Sequence, residues 1–349
     1  MNKAMKYAIN GSLIFGLGNA LIDIFFQLDC RNKNPNVIFD WGKVLRSFGN
    51  GALLGGTSGL ICGALKDKEL EDILLDAGGS AAFLKQTLET YENKDLALEN
   101  KAYKIQVLLY RNFNDLLLVP PEISGSKNRG TSITGSDIDI QVTFKRNAGS
   151  INEIRSFIEE FFNEKFEDKK LIKVRSQTCS VGLIFRMYNK ERRIDIVPMR
   201  DIGNGKGDSF LCVRENSLFQ KSTIIKTNSR IHLKSLKFTE KQKKIIKILK
   251  GWKKVNDIEL PSIYIELIVK RASDEINLPK GMLQSVLRMV EYIGNNVRTI
   301  RIIDPANSNN IISEYLTSDE KISVQSYCYK MLKDIDEDER NIVEYFPSM

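Results

Sequence analysis

An α+β fold, a small mixed sheet with helices packed on one side and a helical lobe after it, is what this sequence of 349 residues predicts. Three observations carry that prediction. Ile138 to Val142 and Arg193 to Val197 alternate apolar with polar residues, the pattern of strands whose side chains two apart share a face. Between them, Ile151 to Phe166 repeats its apolar residues at three-and-four spacing, the period of a helix with one buried side. After Phe238 the strand pattern gives way to long amphipathic helices.

Taken in order, the chain opens with two apolar stretches. Ala8 to Gln27 is interrupted by Asn10, Ser12, Asn19 and Asp23, and Phe48 to Leu65 carries Gly51, Gly55, Gly59 and Gly63. Glycines spaced by four form one helical stripe on which a second helix can close in. Polar interruptions and marginal length speak against spanning helices, and no cleavage site suggests a signal peptide. The expectation for 1–75 is a glycine-rich helical hairpin, soluble or homo-oligomerising, with membrane contact as the less favoured alternative.

Ala81 to Thr90 and Leu96 to Leu117 have helical periodicity and are expected to back the sheet; Pro120-Pro121 ends the second and leads into a strand before Gly125. Ile172 to Val174, Val181 to Met187 and Arg192 to Val197 read as further strands, and Gly203 to Gly207 as a turn. Phe238 to Val255 is a helix with Lys243, Lys247, Lys250 and Lys254 on one stripe and Ile245, Ile248, Leu249 and Trp252 on the other side. The expected division is 1–75 hairpin, 76–235 sheet domain, and 236–349 helical lobe with tail.

The chemistry gathers in ISGSKNRGTSITGSDIDIQVTF, from Ile123 to Phe144. Asp137 and Asp139 project from one face of a strand, where two carboxylates repel unless a divalent cation lies between them; oxygen-only ligation suits Mg²⁺. Upstream, Gly125 lets backbone approach a phosphate and Ser126 adds a hydroxyl. Asp195, flanked by Ile194 and Ile196, is a third carboxylate on another strand. Three such groups are what a pair of Mg²⁺ (or Mn²⁺) ions about 3.5–4 Å apart needs for phosphoryl transfer.

With these residues the chain resembles the polymerase-beta-like nucleotidyltransferases. GSKNRGT followed by SDIDI is similar to the branch of oligoadenylate synthetases, cGAS and the bacterial CD-NTases. Thr227-Asn228 with His232, Lys250-Gly251-Trp252, Ser262 to Leu267, and Asp304-Pro305 with Asn307 and Asn310 resemble later motifs of that branch. The resemblance implies a palm sheet bearing Asp137, Asp139 and Asp195 as catalytic and metal-ligating residues. It implies triphosphate contacts from Gly125, Ser126, Lys250 and Ser262. One departure is Ile263, where many relatives carry an aromatic that stacks on the base.

The activity so implied is template-independent joining of (d)NTPs, (d)ATP foremost, into a signalling oligonucleotide in anti-phage defence, with a separately encoded effector protein. Alternatives are a CBASS-type cyclic oligonucleotide synthase and an antitoxin-like transferase acting on a protein or tRNA. The terminal aromatic pair Tyr345-Phe346 is expected to dock on the core; a likeness to Hailong-type nucleotidyltransferases offers the alternative of Tyr345, on a flexible C-terminal arm, as a primer hydroxyl. A net charge of +8 suits polyanionic partners. Five scattered cysteines without CxxC argue against disulfides and zinc and for the cytoplasm, and the single histidine, His232, is expected to be structural.

Overall fold

The computed structural model describes residues 70–92, 95–213 and 223–347. The glycine-rich stretches of the expected hairpin lie outside them. Among the described residues, no helix is long and apolar enough to cross a membrane, and Cys179, Cys212 and Cys328 are free thiols.

Seven strands form one mixed sheet. They are β1 (Glu122–Ile123), β2 (Ile138–Phe144), β3 (Leu171–Ser176), β4 (Val181–Met187), β5 (Lys190–Asp201), β6 (Ser209–Val213) and β7 (Thr223–Thr227). The order is β1-β2-β5-β4-β3, with β6 and β7 continuing from the far end of β5. Among the described residues, only β2 and β5 run parallel. Parallel neighbours need a crossover, supplied here by the helix Ile151–Glu164 and the β3–β4 hairpin. That helix starts sharply because Ser150 and Glu153 cap each other's backbone N–H groups.

Two apolar cores hold the described residues together. In the first, the helix Leu96–Phe113 lays Leu98, Ala102, Ile105 and Leu109 on a sheet face built from Ile138, Ile140, Ile194, Ile196 and their neighbours, while Tyr103 and Tyr110 face solvent. The second unites the helices Glu240–Val255, Ser262–Glu275, Met282–Asn296 and Ser318–Glu337. The helix Leu70–Tyr91 joins this second core through Phe83, Leu84 and Leu88. The expected backing of the sheet by Ala81 to Thr90 is therefore corrected. Tyr91 explains the attachment: its ring fills the space beside Gly251, where a Cβ would lie 2.0 Å from it.

The late hairpin β8 (Ile303–Asp304) and β9 (Asn307–Ile311) carries the Asp304-Pro305 turn. Asp304 takes the Ala306 N–H at 2.8 Å and Asn310 Nδ2 at 2.9 Å, and its Oδ1 lies 2.6 Å from Nε2 of His232. Two motifs 72 residues apart thus meet where the helix after the sheet abuts the lobe.

Candidate active site

Asp139 and Asp195 are directly matched across the parallel pair β2–β5. Matched residues of a parallel pair point to the same side, and Asp137, two positions earlier, joins them. All three line a single cavity of about 520 Å³ between the sheet and the helical lobe, with Ser126 on the sheet side and Ser262 on the lobe side.

Burial and mutual repulsion mark these carboxyls. Burial pushes Asp195 up to about 7, with Arg193 opposing and Asp139 and Asp137 reinforcing the rise. Asp139 is raised by burial and by Asp137, and Asp137 by burial against the pull of Arg193. Gln177 donates to Asp195 Oδ1 at 2.7 Å. The Arg193 guanidinium hydrogen-bonds Asp137, while its Nε lies 3.2 Å from Asp195 Oδ1. Among the described residues, no three acidic, cysteine or histidine side chains are close enough to hold one ion as placed. The donor chemistry still fits hard divalent cations: three converging carboxylates, with charge that burial leaves under-compensated.

Gly125 opens a five-residue helix (Gly125–Arg129) with φ of 63°, and a Cβ there would sit 1.9 Å from Asp139 Oδ2. The glycine thus makes room for the carboxylate of Asp139. The Ser/Thr-rich loop that follows is pinned at Thr134, whose N–H donates to the Tyr91 carbonyl and whose hydroxyl donates to the Thr90 carbonyl, both at 2.7 Å.

Lys250 lies in the cavity wall, yet its ammonium is committed elsewhere. Nζ lies 2.6 Å from Glu266 Oε1, 3.1 Å from the Thr131 carbonyl and 3.3 Å from Thr131 Oγ1. Arg129 Nε also donates to Glu266, at 2.6 Å. Two cations share one buried carboxylate. Burial works to raise Glu266, but Lys250 and Arg129 outweigh it and hold the carboxyl below its ordinary range. Burial also pushes Lys250 down, against the pull of Glu266.

Ile263 packs against the lobe core and Tyr264 is fully buried there, so neither takes the place of the stacking aromatic. Tyr345 takes the docked place that its apolar surroundings predict. It sits in a short helix (Ile342–Tyr345) at 3 % exposure, bonded to Asp334 and within 3.0 Å of Lys330 Nζ, with its ring 5.8 Å from that of Tyr327. The apolar neighbours Ile342 and Phe346 anchor this segment in the core, so no flexible arm carries the tyrosine.

Arg193 and Glu266 were missed in the sequence. Both had a signal: Arg193 is two residues before Asp195 on one strand, hence on its face, and Glu266 is one helical turn after Ser262.

No protein-family model matches the chain, and no curated protein does. Solved structures do. CdnC of Escherichia coli MS115-1 with ATP is 19 % identical over 72 % of this chain and 90 % of its own, with a TM-score of 0.58. The CD-NTase CdnG of Bradyrhizobium diazoefficiens in complex with GTP matches at 10 % identity over 77 % and 95 %, TM-score 0.60. DncV of Vibrio cholerae, a cyclic AMP-GMP synthase bound to the linear intermediate pppA(3′,5′)pG, matches at 13 % over 82 % and 81 %, TM-score 0.52. At such identities the likeness establishes the fold: a nucleotidyltransferase palm-like sheet flanked by helices, with a helical region after it. The CdnC, CdnG and DncV structures share this overall architecture with the chain.

Proposed function

We propose that this chain is a metal-dependent nucleotidyltransferase that joins (d)NTPs into a signalling oligonucleotide with release of pyrophosphate. The observation that carries the reading is the in-register placement of Asp139 and Asp195, with Asp137 beside them, on one wall of a cavity roofed by the helical lobe. Divalent cations held by Asp137, Asp139 and Asp195 would neutralise phosphate charge and acidify the attacking hydroxyl. The protein's own part is positioning. Ser126 and Ser262 both line the cavity and offer hydroxyls to the phosphates, holding the α-phosphate in place for in-line displacement.

The nucleotide complexes of CdnC, CdnG and DncV support a nucleoside triphosphate substrate here. The CdnC complex with a HORMA protein supports a separate partner protein for this chain as well. A cyclic product is the second reading, supported by the synthase activity named for DncV and by the buried seat of Tyr345, which speaks against priming on that tyrosine. The purified protein, given each labelled NTP and dNTP with Mg²⁺ or Mn²⁺, is expected to release pyrophosphate and form products. Product length, nuclease sensitivity and terminal phosphates tell linear from cyclic. Asp137→Ala with Asp139→Ala should abolish incorporation in a folded protein; full activity in that variant refutes the assignment.

A further inference from the structure

On the nucleotidyltransferase reading, the Asp195 carboxylate must hold one orientation, and the turn 177–180 between β3 and β4 is built to impose it. The helix Ile151–Glu164 buries Ile151, Ile154 and Ile158, and Arg155 stands among them, fully buried. A guanidinium in such a layer is unfavourable unless its N–H groups find acceptors. Here they fan onto the turn. Nη1 donates to the Thr178 carbonyl at 2.9 Å. Nη2 donates to the Gln177 carbonyl and, at 3.1 Å each, to the Ser180 carbonyl and Ser176 Oγ. The turn closes on itself as well, with Gln177 N donating to the Ser180 carbonyl at 3.0 Å.

What this turn carries is the Gln177 side chain, whose Nε2 donates to Asp195 Oδ1 at 2.7 Å. Gly182 clears its path. It lies opposite Asp195 in the antiparallel pair β4–β5, so a side chain there would share the aspartate's face. A Cβ would fall 2.2 Å from Gln177 Nε2 and 3.2 Å from Asp195 Oδ1. Glycine inside a strand weakens the sheet and marks a close approach; the group that approaches is this amide. Arg193 Nε also lies near, 3.2 Å from the same oxygen, but its charge opposes that of any cation Asp195 would hold. The amide donates without bringing charge, so the carboxylate is oriented and keeps its full charge for a divalent ion.

We propose that Gln177 is a positioning residue for Asp195: its amide sets the carboxylate's orientation toward a divalent cation, and Arg155 and Gly182 set the amide. The turn itself touches no nucleotide in this arrangement and acts only through the aspartate.

Mn²⁺ binding to the full chain, read from the paramagnetic resonance of the free ion, tests this without turnover. ATP binding by titration calorimetry in Ca²⁺ is the companion measurement. Gln177→Ala should weaken Mn²⁺ binding about tenfold or more, as loss of a ligand's orienting partner does. ATP affinity should stay within about threefold, because Asp137 and Asp139 are untouched, and the melting temperature within about 4 °C. Gly182→Ala, which drives the amide off Asp195, should weaken Mn²⁺ as much, and the double variant no more than either single. Wild-type Mn²⁺ affinity in Gln177→Ala overturns the inference, as do losses that add in the double variant. Arg155→Lys keeps the charge without the planar fork, and should weaken Mn²⁺ at a temperature where it is folded; wild-type Mn²⁺ affinity there overturns the anchoring by Arg155. Should Arg155→Lys not fold, the Gln177 and Gly182 variants decide. A wild-type chain that binds neither Mn²⁺ nor ATP overturns the nucleotidyltransferase reading, and this inference with it; normal wild-type binding with an indifferent Gln177→Ala overturns only the inference.

Discussion

Gly125 and Asp139 occupy each other's space: a Cβ on the glycine would fall 1.9 Å from the aspartate's Oδ2, closer than atoms approach without bonding. The two residues lie on different elements, and the backbone bond from Ser124 N to the Asp139 carbonyl, 2.9 Å, locks the elements together beside that contact. The orientation of the central carboxylate is therefore set by the absence of a side chain.

Gly125→Ala should accordingly displace Asp139 and add strain at a φ of 63°. Loss of backbone compatibility costs on the order of 1–2 kcal/mol in stability. Misplacement of a ligand carboxylate should cost about a hundredfold or more in nucleotide incorporation. Circular dichroism and melting, run beside the incorporation assay, will separate the two. An active Gly125→Ala protein would mean that Asp139 tolerates another rotamer.

Asp195 yields a pH signature. Its carboxyl holds a proton up to about 7 in the folded chain, against an ordinary value of 3.8. Between those values the folded state binds a proton that the unfolded chain has released, so stability falls as pH rises through the window from about 4 to about 7. In EDTA, urea unfolding at pH 5, 6 and 7.5 should show this decline, and Asp195→Asn should flatten it and stabilise the protein by roughly 2–4 kcal/mol above pH 7. An unchanged slope in the variant would assign the titration to another group.

How much of this was legible in the sequence depends on range. The placing of Asp139 and Asp195 was readable because alternation fixes which face of a strand a residue occupies, and β2 and β5 formed with them inside; Asp137 falls one residue ahead of β2. Lys250 was legible as to position and not as to occupation: helical periodicity put it on the right stripe, but its partners Thr131 and Glu266 come from 119 and 16 residues away. The place of Ala81 to Thr90 was lost for a similar reason. Phe83, Leu84 and Leu88 announce a buried face, and nothing local says whether the sheet or the lobe will cover it. The docking of the terminal aromatic pair was legible in its composition: Tyr345 and Phe346, with Ile342 beside them, are apolar enough to enter the core although the run before them is acidic.

The Lys250–Glu266–Arg129 trio should behave as one unit. Glu266→Gln leaves the buried Lys250 and the partly buried Arg129 without their anion, which costs about 3–5 kcal/mol when one partner of a buried pair is removed. Adding Lys250→Met should recover part of that loss, so the double variant is less destabilised than the sum of the two singles. Glu266 is held below its ordinary range. Its contribution is therefore complete above the unfolded carboxyl value, about 4.5, and is lost only as pH falls below it. Denaturant unfolding of the four proteins at pH 7.5 measures the coupling, and strict additivity would show that the charges do not depend on one another.

Tyr345→Phe removes one hydroxyl that bonds Asp334 and lies 3.0 Å from Lys330 Nζ, on the side of the lobe where the ring meets Tyr327. The phenyl ring keeps the packing, so the cost should be about 1 kcal/mol or less, the net worth of a partly exposed hydrogen bond. Tyr345 does not line the cavity that holds the three aspartates. Product yield and length should therefore match wild type, and no nucleotide should remain covalently attached to either protein after denaturation. Radiolabel that stays with the wild-type chain in a denaturing gel and vanishes in Tyr345→Phe would require the segment 342–347 to leave the core during turnover, against the burial of Ile342 and Phe346 that holds it there.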